Sequence, residues 1–396
     1  MRKYVSEKAS QISKSQTLAI SAQAKKMREE GMSIIGFTAG EPDCNTPEYI
    51  IDAAKAALDA GKTKYTPSAG TEALRKAIAK KLLEENGLEY SFKNIVVSNG
   101  GKHALFNALY AIINDGDEVI IPAPYWLTYP ELVKICGGKP VILEGKKENG
   151  FKITAEELKN AITDKTKAVI INSPNNPTGA VYTKEHLYSL AKVLEEKEII
   201  TISDEIYEKL YYGEKPISIA TYSEKMKELT IVVNGLSKSY AMTGWRVGYV
   251  AANDEIATAI DYVQSHMTSN VNSIAQEASK VAFSRTEDVE ELRAVYDSRR
   301  RYMVERIKTM DKISCMSPDG AFYIFVDISK VIGKEIKGQR INGSLDFCRI
   351  MLDYGVALIP GAPFGADDHV RLSFAVSEED IAVGLNRIER MLNDVK

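Results

Sequence analysis

Cysteine and histidine are scarce in this chain, and neither is arranged for a shared task. Cys44, Cys136, Cys315 and Cys348 lie far apart with no Cys-x-x-Cys pair, which argues against a disulfide framework and suits free thiols in a reducing compartment. His103, His186, His266 and His369 are equally scattered, so no local cluster points to zinc and no catalytic metal is expected. An excess of one charge is also missing. The 51 Lys and Arg residues face 54 Asp and Glu, for a formal net charge of -3. No whole-molecule field is available to recruit nucleic acid or an anionic membrane. The N-terminal residues are charged or polar throughout and lack an apolar segment of signal-peptide length. No later stretch approaches the length of a transmembrane helix. Cytoplasmic residence is therefore the expectation. Repeats, low-complexity tracts and Pro/Gly-rich linkers are absent as well.

What the chain does have is an ordinary globular composition, 44% hydrophobic and 27% charged, spread over 396 residues. That length exceeds what one core usually sustains, so two domains are expected. Short β-rich runs alternate with longer helical patterns. The runs are NIVVSNGG, DEVIIPAPYW, KAVIINSPNNPTG, EIITISDEIY, LTIVVNGLSKS and GWRVGYVAA. Several are apolar at consecutive positions, as in strands buried on both faces, which predicts a mostly parallel sheet with helices on both faces. The patterns KHALFNALYAII, TAEELKNAI and TKEHLYSLAKVLEEK supply the crossover helices, the last with Thr183 placed as N-cap. Beyond residue 283 the character changes to one long charged helix and two strand-like pieces, GAFYIFVDI and HVRLSFA. The reading is an α/β protein with a large domain over 46–283 and a smaller α+β domain built from 1–45 and 284–396. The N-terminal segment has no predicted strand and is expected to pack against the C-terminal region.

In open α/β sheets, ligands bind in the crevice outside the carboxyl ends of the strands. Here successive apolar runs are followed by Asn99-Gly100-Gly101-Lys102, Tyr125-Trp126, Asn175-Asn176-Pro177, Asp204-Glu205-Ile206-Tyr207 and Ser237-Lys238. Each cluster alone has an ordinary explanation: a βα turn at the glycines, a core aromatic at Trp126, a helix cap at Asp204, a solvated loop lysine at Lys238. Five clusters on one predicted edge instead suit a planar, charged, hydrogen-bonding ligand. Gly100-Gly101 would leave backbone N–H groups free at the start of the helix beginning near Lys102, a ready anion site. Pyridoxal phosphate chemistry requires a Schiff-base lysine and an acid for the pyridinium nitrogen. Lys238 and Asp204 are the candidates at predicted strand ends.

At these residues the chain resembles the class I aminotransferases of pyridoxal-phosphate (PLP) fold type I, in their aspartate aminotransferase branch. The resemblance spans nearly the whole length. It rests on TAGEPD at 38–43, KTKYTPSAG at 62–70, SNGGKHAL at 98–105, PYW at 124–126, NSPNNPTG at 172–179, SDEIY at 203–207, SKSYAMTGWRVGY at 237–249 and HVRLSFA at 369–375. It implies that Lys238 carries pyridoxal phosphate, that Asp204 keeps the pyridine nitrogen protonated, and that Asn176 and Tyr207 bond the phenolic oxygen. Trp126 would stack on the ring. Backbone groups of Gly101 and Lys102, the side chains of Ser237 and Arg246, and Tyr65 from a second subunit would hold the phosphate, so a homodimer is implied. Arg371 would clamp the substrate α-carboxylate, with Gly40 and Asn176 lining the same end. Lys102, helped by Ser15 and Thr17, would meet a second carboxylate, although His103 stands where the branch often has glutamine.

The resemblance thus implies a ping-pong transfer between an amino acid and a 2-oxo acid, with aspartate and 2-oxoglutarate as the expected pair. Prephenate, aromatic amino acids or alanine as substrate is the alternative, and a carbon–sulfur β-lyase would use the same lysine and aspartate for elimination. A transcription regulator that borrowed this fold would be expected to carry a DNA-binding extension ahead of it, and none is seen.

Overall fold

A computed structural model describes residues 4–13 and 16–396, without some side chains near the N-terminus. A two-residue strand, β1 (Ile35–Gly36), pairs in parallel with Val356–Ala357. The main sheet has seven strands: β2 (Ile95–Ser98), β3 (Glu118–Ala123), β4 (Lys139–Glu144), β5 (Thr166–Asn172), β6 (Ile200–Asp204), β7 (Thr230–Gly235) and β8 (Gly248–Ala251). Their order is β2-β8-β7-β6-β5-β3-β4. β8 pairs antiparallel with β2 and β7, and all other pairings in this sheet are parallel. The α/β architecture with a mostly parallel sheet is therefore as the apolar runs predict.

The physical reason is visible in the burial. Val119, Ile120 and Ile121 are all fully buried although consecutive, because helices cover both faces. All six predicted runs supply strands, and β4 is an addition. Its sequence, KPVILE, carries a proline and terminal charges and is half exposed at the sheet edge, where such residues are tolerated. β1 is a second addition, too short for any periodicity to announce. Thr183 caps helix Lys184–Lys197 by accepting from His186 N at 3.3 Å. The C-terminal part holds helix Glu287–Lys308 and an antiparallel sheet formed by Ser314–Cys315, Tyr323–Asp327, His369–Ser373 and Ile359–Pro360. Phe37, just after β1, is fully buried in the core of that region with Tyr296, Phe322 and Phe374.

Strand register sets the functional edge. Asn172 and Asp204 are direct partners at the ends of β5 and β6, and Asp204 faces Val233 of β7. The end of β2 is held by Gln264 of helix Asp254–Met267. Its Oε1 accepts from Ser98 Oγ at 2.7 Å and Asn107 Nδ2 at 3.0 Å, while its Nε2 donates to Ser68 O and Val97 O, both at 2.7 Å. Gln264 is fully buried, so its bonds have no water to replace them. Gln264→Leu should lower the unfolding free energy by roughly 2–4 kcal/mol, because buried donors and acceptors lose their partner. Urea denaturation with an unchanged m-value would check this, and an unchanged midpoint would contradict it.

Candidate active site

A cavity of about 600 Å³ lies at the carboxyl edge of the main sheet. It brings together Gly40, Gly101, Lys102, Trp126, Asn176, Asp204, Tyr207, Ser237, Lys238, Arg246 and Arg371. Tyr65 does not line it and is 91% exposed. Ser15 lies outside the described residues, as does the side chain of Thr17, whose backbone belongs to helix Gln16–Glu29.

Asp204 enters from the end of β6 and is almost completely buried. Tyr129 OH donates to its Oδ2 at 2.7 Å and Ile206 N to its Oδ1 at 3.2 Å. Burial pushes its pKa up to about 6, although these hydrogen bonds and the charge of Lys238 pull the other way. Lys238 sits on the loop after β7 and donates to the carbonyl of Gly40. Burial pulls its pKa down to about 8; Glu41 opposes that shift, and Arg371 and Arg246 add to it. Among the described residues no salt bridge joins Asp204 or Lys238 to an opposite charge, and both line the cavity.

Arg371 is 5% exposed. Its Nη1 donates to Asn176 Oδ1 at 2.9 Å and its Nη2 to Thr38 O at 3.3 Å. Its guanidinium lies 4.2 Å from the Tyr323 ring centroid, and its Nε is buried with no partner. With no salt-bridge partner among the described residues, this buried cation is suited to an incoming anion. Tyr323 also shares a hydrogen bond with Tyr207, 3.0 Å between hydroxyl oxygens.

Elsewhere in the cavity lining the chain turns sharply into helix Gly101–Ile112. Gly100 has φ +87°, and a Cβ there would collide with the Arg246 guanidinium. No side chain caps this helix, so its first N–H groups remain open. Arg246 donates from Nη1 to Thr243 O at 2.9 Å and from Nη2 to Asn99 O at 3.3 Å, which fixes its charge beside them. A second anion site results. The Lys102 Nζ is 5.0 Å from the Trp126 ring centroid, and its pKa is lowered by burial and by Arg246. Trp126 is braced edge-on by Tyr129 at 5.5 Å.

Sequence reasoning missed Tyr129, Tyr323 and Asn172. Tyr129 stands three residues after Trp126 on one helical turn, a spacing that could have shown it. Tyr323 reaches the site only through the pairing of its strand with His369–Ser373, for which the sequence carries no local sign. Among the described residues, no group of three or more His, Cys, Asp or Glu is placed to hold a metal ion, and no helix is long and apolar enough to cross a membrane.

The chain is similar to known proteins over nearly its whole length. Residues 32–388 match the family described as aminotransferase class I and II. An aspartate aminotransferase of Bacillus sp. (strain YM-2) is 46% identical, with 99% of this chain and 100% of the relative covered. A probable aspartate/prephenate aminotransferase of Aquifex aeolicus is 44% identical, with both chains covered completely at 100%. The crystal structure of the aspartate aminotransferase from Rhizobium meliloti superimposes with a TM-score of 0.97 at 40% identity, covering 100% of each chain.

Asp204 yields a test in the ligand-free protein. Its folded-state pKa of about 6 exceeds the ordinary 3.8, so folding takes up a proton between those pH values. The associated stability is present at the acid end and is lost as pH rises through about 6. Asp204→Asn should therefore be more stable than wild type at pH 8 by roughly 2–3 kcal/mol, with the advantage vanishing near pH 4. Thermal unfolding at both pH values measures this. An equal difference at the two would show that ionisation of Asp204 is not the cause.

Proposed function

The chain belongs to the class I and II aminotransferases, and on that premise we propose that it transfers the amino group of aspartate to 2-oxoglutarate, with Lys238 as the reacting amine. Its cofactor is pyridoxal phosphate. The observation that carries the proposal is that one cavity holds the buried Asp204 and Arg371 beside the half-buried Lys238, with no salt bridge to any of the three among the described residues. Such groups are costly unless a ligand completes them. The cofactor fits what is missing: a ring nitrogen that can be positive for Asp204, an aldehyde for Lys238, and a phosphate for the open N–H groups and Arg246.

When bound, pyridoxal phosphate supplies the electron sink for loss of the α-proton and stores the amino group between substrates. The protein does the rest. Asp204 keeps a proton on the ring nitrogen. Backbone N–H groups of Gly101 and Lys102, with Ser237 and Arg246, hold the phosphate. Trp126 stacks on the ring, and Asn176 and Tyr207 bond its phenolic oxygen. Arg371, flanked by Gly40 and Asn176, would clamp the substrate α-carboxylate through its bidentate guanidinium fork. The Lys238 Nζ, the amine that would hold the cofactor, would also be placed to take up the substrate α-proton and give it back as general base and acid. An amine whose pKa is near 8 is well suited to that exchange close to neutral pH. The second substrate reverses these steps, giving ping-pong kinetics.

The choice of aspartate rests on Lys102. A side-chain carboxylate entering a closed site needs a cation, and the Lys102 Nζ lies over Trp126 at the cavity wall. Ser15 and Thr17 are the proposed hydroxyl partners. Prephenate also brings a second carboxylate and is the second reading, in keeping with the name of the Aquifex aeolicus relative. Exposure of Tyr65 supports its reaching the phosphate site of a second subunit in a homodimer. We further place the large domain at 46–283, the smaller one at 1–45 with 284–396, and the enzyme in the cytoplasm.

Lys102→Ala should raise the Michaelis constants for aspartate and 2-oxoglutarate by roughly 10- to 100-fold, the loss of one or two charged hydrogen bonds. Those for alanine, tyrosine and phenylalanine should change little. Steady-state kinetics across this panel decides the matter. A uniform loss would assign Lys102 to the cofactor or the fold and remove the case for a dicarboxylic substrate.

A further inference from the structure

A partly buried polar network joins the two loops that bear the reacting groups, and nothing in the mechanism above uses it. Helix Glu72–Asn86 contributes Lys81, Glu85 and Asn86, the turn after β6 contributes Glu208 and Lys209, and the loop after β7 contributes Tyr240. The Lys81 side chain is 2% exposed and pairs with Glu208 while donating to Asn86 Oδ1 at 2.8 Å. Asn86 Nδ2 donates to Glu208 Oε2 at 2.8 Å. Lys209 Nζ pairs with Glu85 Oε2 at 2.9 Å and donates to Tyr240 OH at 3.1 Å, with its ammonium 5.4 Å from the Tyr240 ring centroid. Two lysines thus meet two carboxylates. Their desolvation gives such a network little net stability over a packed apolar core. Its value is therefore geometric.

The geometry concerns Lys238. The turn containing Lys209 is closed by Glu208 N to Glu205 O at 2.9 Å and Leu210 N to Tyr207 O at 2.8 Å, so Lys209 is rigidly tied to Asp204 and Tyr207. Tyr240 is two residues past Lys238, and its N–H donates to Leu236 O at 3.2 Å to close the loop between them. We infer that Lys209 and Tyr240 are positioning residues, whose hydrogen bond sets the spacing between the strand end carrying Asp204 and Tyr207 and the loop carrying Lys238. This rests on Lys238 being the reacting amine. A core-packing role for Tyr240 is the competing explanation, because its ring is buried and meets Phe283 edge-on at 6.1 Å.

Tyr240→Phe keeps the ring and removes only the hydroxyl, and Lys209→Met keeps the stem and removes only the ammonium. In the holoenzyme each should lower kcat by roughly 5- to 30-fold, the effect of a small misplacement of reacting groups. The Michaelis constant for the amino donor should stay close to wild type. The double variant should be no slower than the slower single one, since both remove the same bond. The pH at which the bound cofactor's absorption band changes should also move in both variants. A Tyr240→Phe enzyme with wild-type kcat, or losses that multiply in the double variant, would overturn the inference. If Lys209→Met does not fold, Tyr240→Phe alone still decides through kcat against KM. Wild-type holoenzyme whose cofactor is attached elsewhere than Lys238 would instead remove the assignment of Lys238, whatever the variants do.

Discussion

Two groups of opposite charge, the buried Asp204 and the half-buried Lys238, share one cavity without a salt bridge between them, and the rest of the site follows from that separation. Burial raises the acid to about 6 and lowers the amine to about 8, so both stand near neutrality. Had they touched, a closed ion pair would have left nothing for a ligand to complete. They are kept apart because β6 and β7 release the chain in different ways. Asp204 is the last residue of its strand and is fixed by Tyr129 and Ile206. Lys238 lies three residues beyond the end of β7, on a loop that carries its amine to Gly40.

The local charge balance differs from the global one for the same reason. The whole chain is slightly acidic at -3, whereas the cavity is lined by Lys102, Lys238, Arg246 and Arg371 against Glu41 and Asp204. An excess of cations in a closed space favours ligands with several anionic groups. A phosphate and one or two carboxylates match it. Bulk composition is silent about this, because six residues decide it.

Much of this was legible in sequence, for specific reasons. β3, β5 and β7 contain continuous apolar runs because helices cover both of their faces, and the polar clusters at the ends of these strands and of β6 mark the crevice edge. Lys238 and Asp204 could therefore be singled out before any side chain was placed. Tyr323 could not, because it arrives from a different sheet through strand pairing. Lys209 and Tyr240 also escaped notice, being 31 residues apart in segments that read as unrelated loops. β4 was hidden by the proline and charges that an edge strand accommodates, and β1 by its length. Tyr65 is outside the cavity of its own chain.

Reduction of the holoprotein with borohydride, followed by proteolysis and mass mapping, tests most directly whether the ligand of this cavity joins Lys238 across from Asp204. Reduction makes the lysine–cofactor bond permanent, so the modified peptide reports the attachment point. The cofactor mass should be found on the peptide containing Lys238. Recovery on Lys102 or any other lysine would contradict the assignment of the reacting amine and, with it, the reading of the site.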